Sequence, residues 1–117
     1  MSSNIAISAG GVKYAKIDAQ KYASSSGDVY MTSMTIEPNC YYEFNENERL
    51  YLTLKNTPSE KYEEYMFEFI PSSENFMFKL TVNRAVTWVE EPVFEMGYRY
   101  QMSILNGIGR WVRIPVA

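Results

Sequence analysis

The chain has 117 residues, of which 46% are hydrophobic and 21% charged, with 11 basic and 14 acidic side chains. These values predict one globular domain with a packed core and not a disordered chain. The basic residues are scattered and the net charge is −3, so we expect no surface for nucleic acid. No apolar run reaches the ~18 residues of a membrane span, so we expect no contact with a membrane.

The sequence contains a single cysteine, Cys40, and no histidine. One cysteine cannot form an internal disulfide, which fits synthesis in a reducing cytosol. We interpret Cys40 as a small buried residue and not as a reactive thiol, because no histidine is present to activate it. The N-terminal residues show neither the basic region nor the apolar core of a secretion signal.

Residues 1–28 are rich in Ser, Ala and Gly, and their apolar side chains are small or isolated. We therefore expect an N-terminal arm or linker over 1–28 and a folded domain over 29–117. Our preferred interpretation is that the arm docks on a neighbouring subunit. The alternative is a first edge strand around 12–17, packed on its own domain. The candidate contact residues of the arm are Ile5, Ile7, Val12, Tyr14, Ile17 and Tyr22.

From residue 29 onward, apolar and polar residues alternate as they do in half-buried strands. The alternation predicts strands near 30–36, 40–44, 50–54, 76–82, 86–90, 98–104 and 108–114. Asn106-Gly107 is typical of a two-residue hairpin turn, because both central positions of a type I′ turn need positive φ. The last two strands are therefore predicted to form a hairpin.

The segment 62–70 fits two patterns. Its aromatic residues recur at the i, i+3, i+4 and i+7 positions of a helix, but residues 64–70 also alternate. Aromatic enrichment favours a strand. We predict a strand over 64–70 and leave a helical turn open near 59–63.

Seven or eight short strands separated by Pro, Gly and Asn turns predict an all-β fold. The most suitable architecture is an antiparallel β-sandwich of the Ig-like or jelly-roll-like type, with a small closed barrel as the alternative. The residues assigned to its core are Tyr42, Phe44, Phe67, Phe69, Phe78, Trp88 and Tyr100.

The acidic residues group near 46–48, 60–64 and 90–95, at strand ends and in loops where solvated carboxylates belong. Nothing indicates the paired, partly buried carboxylates of a glycosidase. No calcium-loop spacing is present, and the serine triad is excluded because there is no histidine. We predict a protein that is not an enzyme and has no catalytic residue, cofactor or metal ion.

Aromatic residues make up 15% of the chain. Exposed Tyr and Trp can stack on sugars, while Tyr, Trp, Met and Arg are enriched in protein interfaces. Outside the arm, the candidate contact residues are Tyr41, Tyr51, Arg110, Trp111 and Arg113. We expect Trp111, which has an arginine on either side, to be the most important of these.

One stretch combines Trp88, the turn-forming segment PVFEMG at 92–97, the alternating segment YRYQMSI at 98–104 and Asn106-Gly107. Upstream lie the segments CYYEF at 40–44, LYLTL at 50–54 and YMFEF at 65–69. This pattern resembles small β-sandwich modules in tail, fibre and head-fibre proteins of bacteriophages, especially phages of gut bacteria.

The resemblance implies a non-enzymatic virion structural protein, made in the cytoplasm of a bacterial host. Capsid decoration, a head fibre and a tail component are equally open positions in the virion. The implied partners are other virion subunits, most simply further copies of this chain in a homo-oligomer. The alternative is a carbohydrate-binding module for host attachment, whose partner is a glycan on the host surface.

Overall fold

The computed structural model describes residues 3–7, 13–25, 27–55, 63–82 and 85–116, with 3–7 described by their backbone alone. Within these ranges the chain forms eleven β-strands and no helix. The strands are β1 (Ser3–Ile7), β2 (Lys13–Ile17), β3 (Gln20–Ser24), β4 (Gly27–Ile36), β5 (Cys40–Asn47), β6 (Arg49–Leu54), β7 (Glu64–Pro71), β8 (Met77–Thr81), β9 (Thr87–Trp88), β10 (Tyr98–Leu105) and β11 (Ile108–Pro115). No element of this described part is a helix of membrane-spanning length and hydropathy.

From residue 27 onward the strands lie where the alternation predicts them, and the all-β class is confirmed. The ambiguous segment 64–70 belongs to β7, so its interpretation as a strand is confirmed. The helical turn left open near 59–63 falls mostly outside the described residues. Asn106 and Gly107 have φ values of 52° and 79° and join β10 to β11 in the predicted hairpin.

The described strands form two sheets. The large sheet has seven strands in the order β1-β2-β5-β7-β10-β11-β9, and the small sheet has four in the order β3-β4-β6-β8. Among the described residues, five of the nine strand pairings are parallel: β2 with β5, β5 with β7, β4 with β6, β6 with β8, and β9 with β11.

The prediction of an antiparallel β-sandwich is wrong. From β2 to β8 the chain winds as a β-solenoid that alternates between the large sheet and the small sheet. The first turn places two strands in the small sheet, β3 and β4, and the later turns place one. Each central strand therefore pairs in parallel with the strand one turn earlier. Apart from the connection between β3 and β4, which pair antiparallel in the small sheet, the short connections from β2 to β8 are corners between the sheets and not hairpins. Glu48, for example, is the single residue between β5 and β6, which lie in different sheets.

The corners are held together by backbone hydrogen bonds between turns. The Glu48 N–H donates to the Tyr30 carbonyl at 2.8 Å, and the Met77 N–H donates to the Glu48 carbonyl at 3.1 Å. At the opposite corner, the Asn39 N–H donates to the Glu64 carbonyl at 2.7 Å. Asn39 has a φ of 59°, a left-handed conformation that asparagine tolerates better than most residues. The hydrogen-bond ladders of the sheets thus continue around the corners.

Inward-facing side chains of successive turns pack above one another between the sheets. The buried hydrophobic core comprises Ala15, Ile17, Ile36, Cys40, Tyr42, Phe44, Leu50, Leu52, Phe67, Phe69, Tyr100, Met102 and Ile104. Phe78 and Trp88, also assigned to the core from the sequence, are partly buried against it. One polar pair lies in this interior, where the Thr32 hydroxyl donates to Asn47 Oδ1 at 2.8 Å.

The two sheets differ at the C-terminal end of the solenoid. The large sheet continues from β7 into β10, β11 and β9, whereas the small sheet ends at β8. Residues 89–97, which we call the closing loop, cover the inner face left open by this difference. Phe94 of this loop lies 5.1 Å from Tyr100, 5.4 Å from Phe78 and 5.5 Å from Phe69, measured between ring centroids.

Part of the expected N-terminal arm belongs to these sheets. β2 pairs in parallel with β5, and β3 pairs antiparallel with β4. Ile17 is 3% exposed and forms part of the core. Residues 13–17 therefore have the alternative placement considered above, on their own domain, and residues 20–24 also pair within the chain. Ile5 and Ile7 lie in β1, which pairs with β2, and Val12 lies outside the described residues.

Candidate functional site

The outer face of the large sheet carries a groove of about 480 Å³, a volume within the range of ligand-binding clefts. Its floor follows the strand register, because Tyr41 lies opposite Met66, Met66 opposite Ser103, and Ser103 opposite Arg110. Gln101 and Val112 extend the floor, and Val89 and Glu90 contribute to its rim. The lining is therefore largely apolar, with a few polar groups that can orient a ligand.

Tyr41 is held firmly at one side of the groove. Its ring stacks on that of Tyr14, with the centroids 5.8 Å apart and the planes 5° from parallel. Its hydroxyl donates to Glu68 Oε1 at 2.5 Å. Burial, followed by the interaction with Glu68, raises the pKa of Tyr41. Burial and the nearby Glu43 carboxylate raise the pKa of Tyr14 to about 12. Both hydroxyls therefore remain neutral hydrogen-bonding groups at physiological pH.

Beside the groove lies a buried carboxylate, Glu68, which is 7% exposed. It accepts hydrogen bonds from the Tyr41 hydroxyl and from the Arg99 guanidinium, with which it also forms an ion pair. On the neighbouring strand, Lys16 Nζ lies 3.6 Å from a carboxylate oxygen of Glu43. The buried charge of Glu68 is thus compensated, as a carboxylate in this position requires.

The polar groups at the ends of the groove have different partners. The Ser103 hydroxyl donates to the Glu64 carboxylate, and the Trp111 Nε1–H donates to the Glu90 carbonyl at 2.8 Å. Arg110 is exposed and forms no ion pair with another described residue. The described side chains contain no group of three or more His, Cys, Asp or Glu residues suited to a metal ion.

The structure brings together three of the predicted contact residues, Tyr41, Arg110 and Trp111, around the groove. Tyr14 joins them through its stack on Tyr41. Trp111, expected to be the main exposed contact, is half-buried and packs against Tyr100 at a centroid distance of 5.8 Å. Its indole therefore packs on the inner face of the sheet, and Trp111 forms only part of the wall of the groove.

The other predicted contact residues lie elsewhere. Arg113 sits 4.1 Å from the ring centroid of Tyr98 and pairs with Glu95 at 2.9 Å. Tyr51 lies on the small sheet, with its hydroxyl 3.9 Å from the Met77 sulfur. Tyr22 is 44% exposed on β3, also in the small sheet.

Sequence reasoning missed the groove residues Met66, Gln101, Ser103 and Val112. Three of them alternate with buried core residues, since Met66 precedes Phe67 and Gln101 and Ser103 flank Met102. The alternation places them on the outer face, but it does not tell which strands are neighbours. Only the parallel register brings Met66 beside Tyr41.

A second feature of the large sheet is its open edge at β11. β9 pairs only with Ile108 and Gly109, so 110–115 has no partner strand on that side among the described residues. Large apolar residues are exposed along this strand and around the closing loop. They are Val89 (65%), Val93 (63%), Met96 (49%), Ile108 (41%), Val112 (59%), Ile114 (47%) and Val116 (43%).

Comparison with known proteins found no match to this chain among protein-family models, curated proteins or solved structures.

Proposed function

We propose that this chain is a non-enzymatic structural subunit of a bacteriophage virion, in a capsid decoration, a head fibre or a tail component. It assembles with other subunits through exposed strand edges of its solenoid. The observation that supports this most directly is the open edge at β11, where an unpaired strand carries exposed Val112 and Ile114. Unpaired strands with apolar side chains are templates for pairing with another chain.

Two further features agree with a rigid building block. The interior is filled with stacked aromatic rings, and none of the described buried side-chain polar atoms lacks a hydrogen-bond partner. The proposal keeps the role implied by the resemblance of the stretch from about residue 40 to 114, but not the sandwich fold that the resemblance also implied. It also moves the assembly contact from the N-terminal arm to the sheet edge, because 13–24 pairs within its own chain.

The direct test is mass spectrometry of phage particles, purified on density gradients from cultures that produce this chain. The expected result is that the chain co-purifies with infectious particles at a fixed number of copies per particle, while abundant host proteins are depleted. If the chain stays in the soluble fraction and is missing from the particles, the virion role is wrong.

A second candidate function is carbohydrate binding at the groove, as expected of a host-attachment module. It is favoured by Tyr41, which is stacked by Tyr14 on one ring face and also lines the groove. An aromatic wall beside Gln101, Ser103 and Arg110 offers both stacking and hydrogen bonds, the two contacts that a sugar ring needs.

A glycan array tests this candidate with a matched pair of variants. Tyr41→Ala should abolish any signal given by the wild-type chain, whereas Tyr51→Ala on the small sheet should leave it unchanged. Equal signals from the two variants, or no wild-type signal at high protein concentration, would exclude the groove as a sugar site.

A further inference from the structure

The open edge of β11 has a defined length. β10 pairs with β11 along its whole length, from the pair Leu105–Ile108 to the pair Tyr98–Pro115. On the other side, β9 pairs only with Ile108 and Gly109. Among the described residues, the free edge therefore begins at Arg110 and ends at Pro115, which has no N–H to donate.

The hairpin register determines which backbone groups of β11 point out of the sheet. In a two-residue hairpin, the residues that flank the turn are hydrogen-bonded to each other, so the even-numbered residues of β11 bond to β10. The odd-numbered residues must face the opposite side. This agrees with the Gly109 carbonyl, which accepts the Val89 N–H at 3.0 Å across that edge. The outward N–H and C=O groups of the free edge are therefore those of Trp111 and Arg113.

We propose that β11 of a second copy of this chain pairs antiparallel with this edge, about a twofold axis at Val112. The inference rests on the proposed function, because it names the partner and the surface through which the subunit assembles. Trp111 then lies opposite the second copy's Arg113, and Arg113 opposite the second copy's Trp111. These two symmetric pairs use every outward N–H and C=O of both residues, giving four backbone hydrogen bonds.

The neighbouring registers satisfy fewer of these groups. With the axis at Trp111, Arg113 would lie opposite the second copy's Gly109, whose outward carbonyl already accepts the Val89 N–H. With the axis at Arg113, Trp111 would lie opposite Pro115, which cannot donate a hydrogen bond. With the axis at Val112, Trp111 and Arg113 both find partners, and the second strand must leave the edge before Pro115, because β9 already lies beside Gly109.

The side chains at the edge agree with the same register. Val112 is 59% exposed on the outer face and lies directly opposite its own symmetry mate. Such a non-hydrogen-bonded pair has Cα atoms about 4.5 Å apart, so the two valines bury each other. Arg113 is already neutralised by Glu95, so it adds little repulsion.

The experiment compares charge variants at the twofold axis by light scattering. The wild-type chain should have twice the mass of one 13.6 kDa chain. Val112→Lys and Val112→Glu should each give monomers, because like charges then face each other, with dissociation constants raised at least about tenfold. An equimolar mixture of the two variants should regain the dimer, since Lys then faces Glu. Thr53→Lys, at an exposed site on the small sheet, should leave the wild-type mass unchanged.

A disulfide gives a second measurement. Val112→Cys should form a linked dimer on mild oxidation, whereas Thr53→Cys should not. Cys40, the one native cysteine, is buried and does not interfere. A wild-type chain that is monomeric at all concentrations overturns the inference, as does a dimer that survives both Val112→Lys and Val112→Glu. In the second case the assembly role remains, through another surface, and the particle analysis above decides separately whether that role is in a virion.

Discussion

The wound part of the solenoid and its C-terminal end close their cores in different ways. Between β2 and β8, strands of both sheets lie on the two sides of the core, and inward residues of one turn pack on those of the next. Beyond β8, only the large sheet continues, and a loop takes the place of the missing strands of the small sheet. There Phe94 and Trp111 cover the inner face of β10.

This difference shows where the molecule can tolerate change. In the wound part each strand has a hydrogen-bonded neighbour on both sides, apart from the outermost strands. At the C-terminal end the packing depends on single aromatic side chains, and the strand edge is open. We therefore expect substitutions in the wound part to lower the stability of the whole fold, and substitutions at the end to act locally.

The largest effect is expected at Phe69, which is fully buried between the two regions and packs against Phe67, Phe76, Phe78, Phe94 and Tyr100. Phe69→Ala should lower the free energy of unfolding by about 3–5 kcal/mol, because it leaves a cavity among these rings. Urea denaturation followed by circular dichroism measures this. Met77→Ala, at a half-exposed site, should change the value by less than about 0.5 kcal/mol. Similar losses in both variants would contradict the assignment of the core.

A smaller loss is expected from Asn47→Ala, inside the wound part. Asn47 is fully buried, and its Oδ1 accepts the Thr32 hydroxyl at 2.8 Å. Removing it leaves the buried hydroxyl without its acceptor and should cost about 2–3 kcal/mol. Thr32→Val should lower the free energy of unfolding less in the Asn47→Ala variant than in the wild-type chain. Additive losses in this double-mutant cycle would show that the two side chains are not coupled.

Gly109→Ala tests the C-terminal end. A Cβ atom at this position would lie 2.4 Å from Cε3 of the Trp88 ring, so the ring must move. The expected loss is about 1–2 kcal/mol, since the two-residue strand β9 can shift away. The indole N–H signal of Trp88 in a proton–nitrogen NMR spectrum should move, while amides of β5 and β6 stay in place. Thr87→Ala, exposed in the same short strand, is the matched control. Changes spread over both sheets would refute a local effect.

The last effect appears only in alkaline solution and is a loss of stability from Tyr42. Burial raises its pKa from 10.0 to about 12, partly offset by the Glu37 N–H, which donates to the phenol oxygen at 2.9 Å. Because the pKa of Tyr42 is higher in the folded chain than in the unfolded chain, the stabilisation is complete at a pH below the pKa of the unfolded chain. It is lost as the pH rises through the pKa of the folded chain. The free energy of unfolding should thus fall between pH 10 and pH 12. Tyr42→Phe should reduce the slope, and an unchanged slope would remove Tyr42 as its source.

The sequence predicts where the strands lie, but it does not predict which strands pair with one another. Alternation in 50–54 and 98–104 identifies strands and their buried faces, and the turn Asn106-Gly107 identifies one hairpin. A parallel and an antiparallel strand alternate alike, however, so the pattern does not determine the pairing. Short connections such as Glu48 suggest hairpins, but here they turn the chain from one sheet to the other. That single ambiguity led to the wrong sandwich architecture.

The candidate site was predictable only in part for the same reason. Tyr41 and Arg110 stand out as an aromatic and a charged residue on outward positions, and both line the groove. Trp111 was predicted as exposed because it lies between arginines, yet it follows the inward phase of β11 and packs on Tyr100. Trp111 points to the same face of β11 as Gly109, two residues earlier. That this face is the inner one follows from the contact of Gly109 with Trp88 of β9, which the sequence does not reveal.

The two-residue turn between β10 and β11 also has a consequence for the order of folding. This hairpin brings together residues that are close in sequence, whereas each parallel pair requires a whole turn of chain to close first. We expect β10 and β11 to form early and to offer a template on which β7 and then the earlier turns add. Pulsed hydrogen exchange that finds β2 and β5 protected before β10 would refute this order. Because a protein is synthesised from its N-terminus, β10 and β11 leave the ribosome after β2 to β8. The earlier strands would then fold only after these later strands have been made.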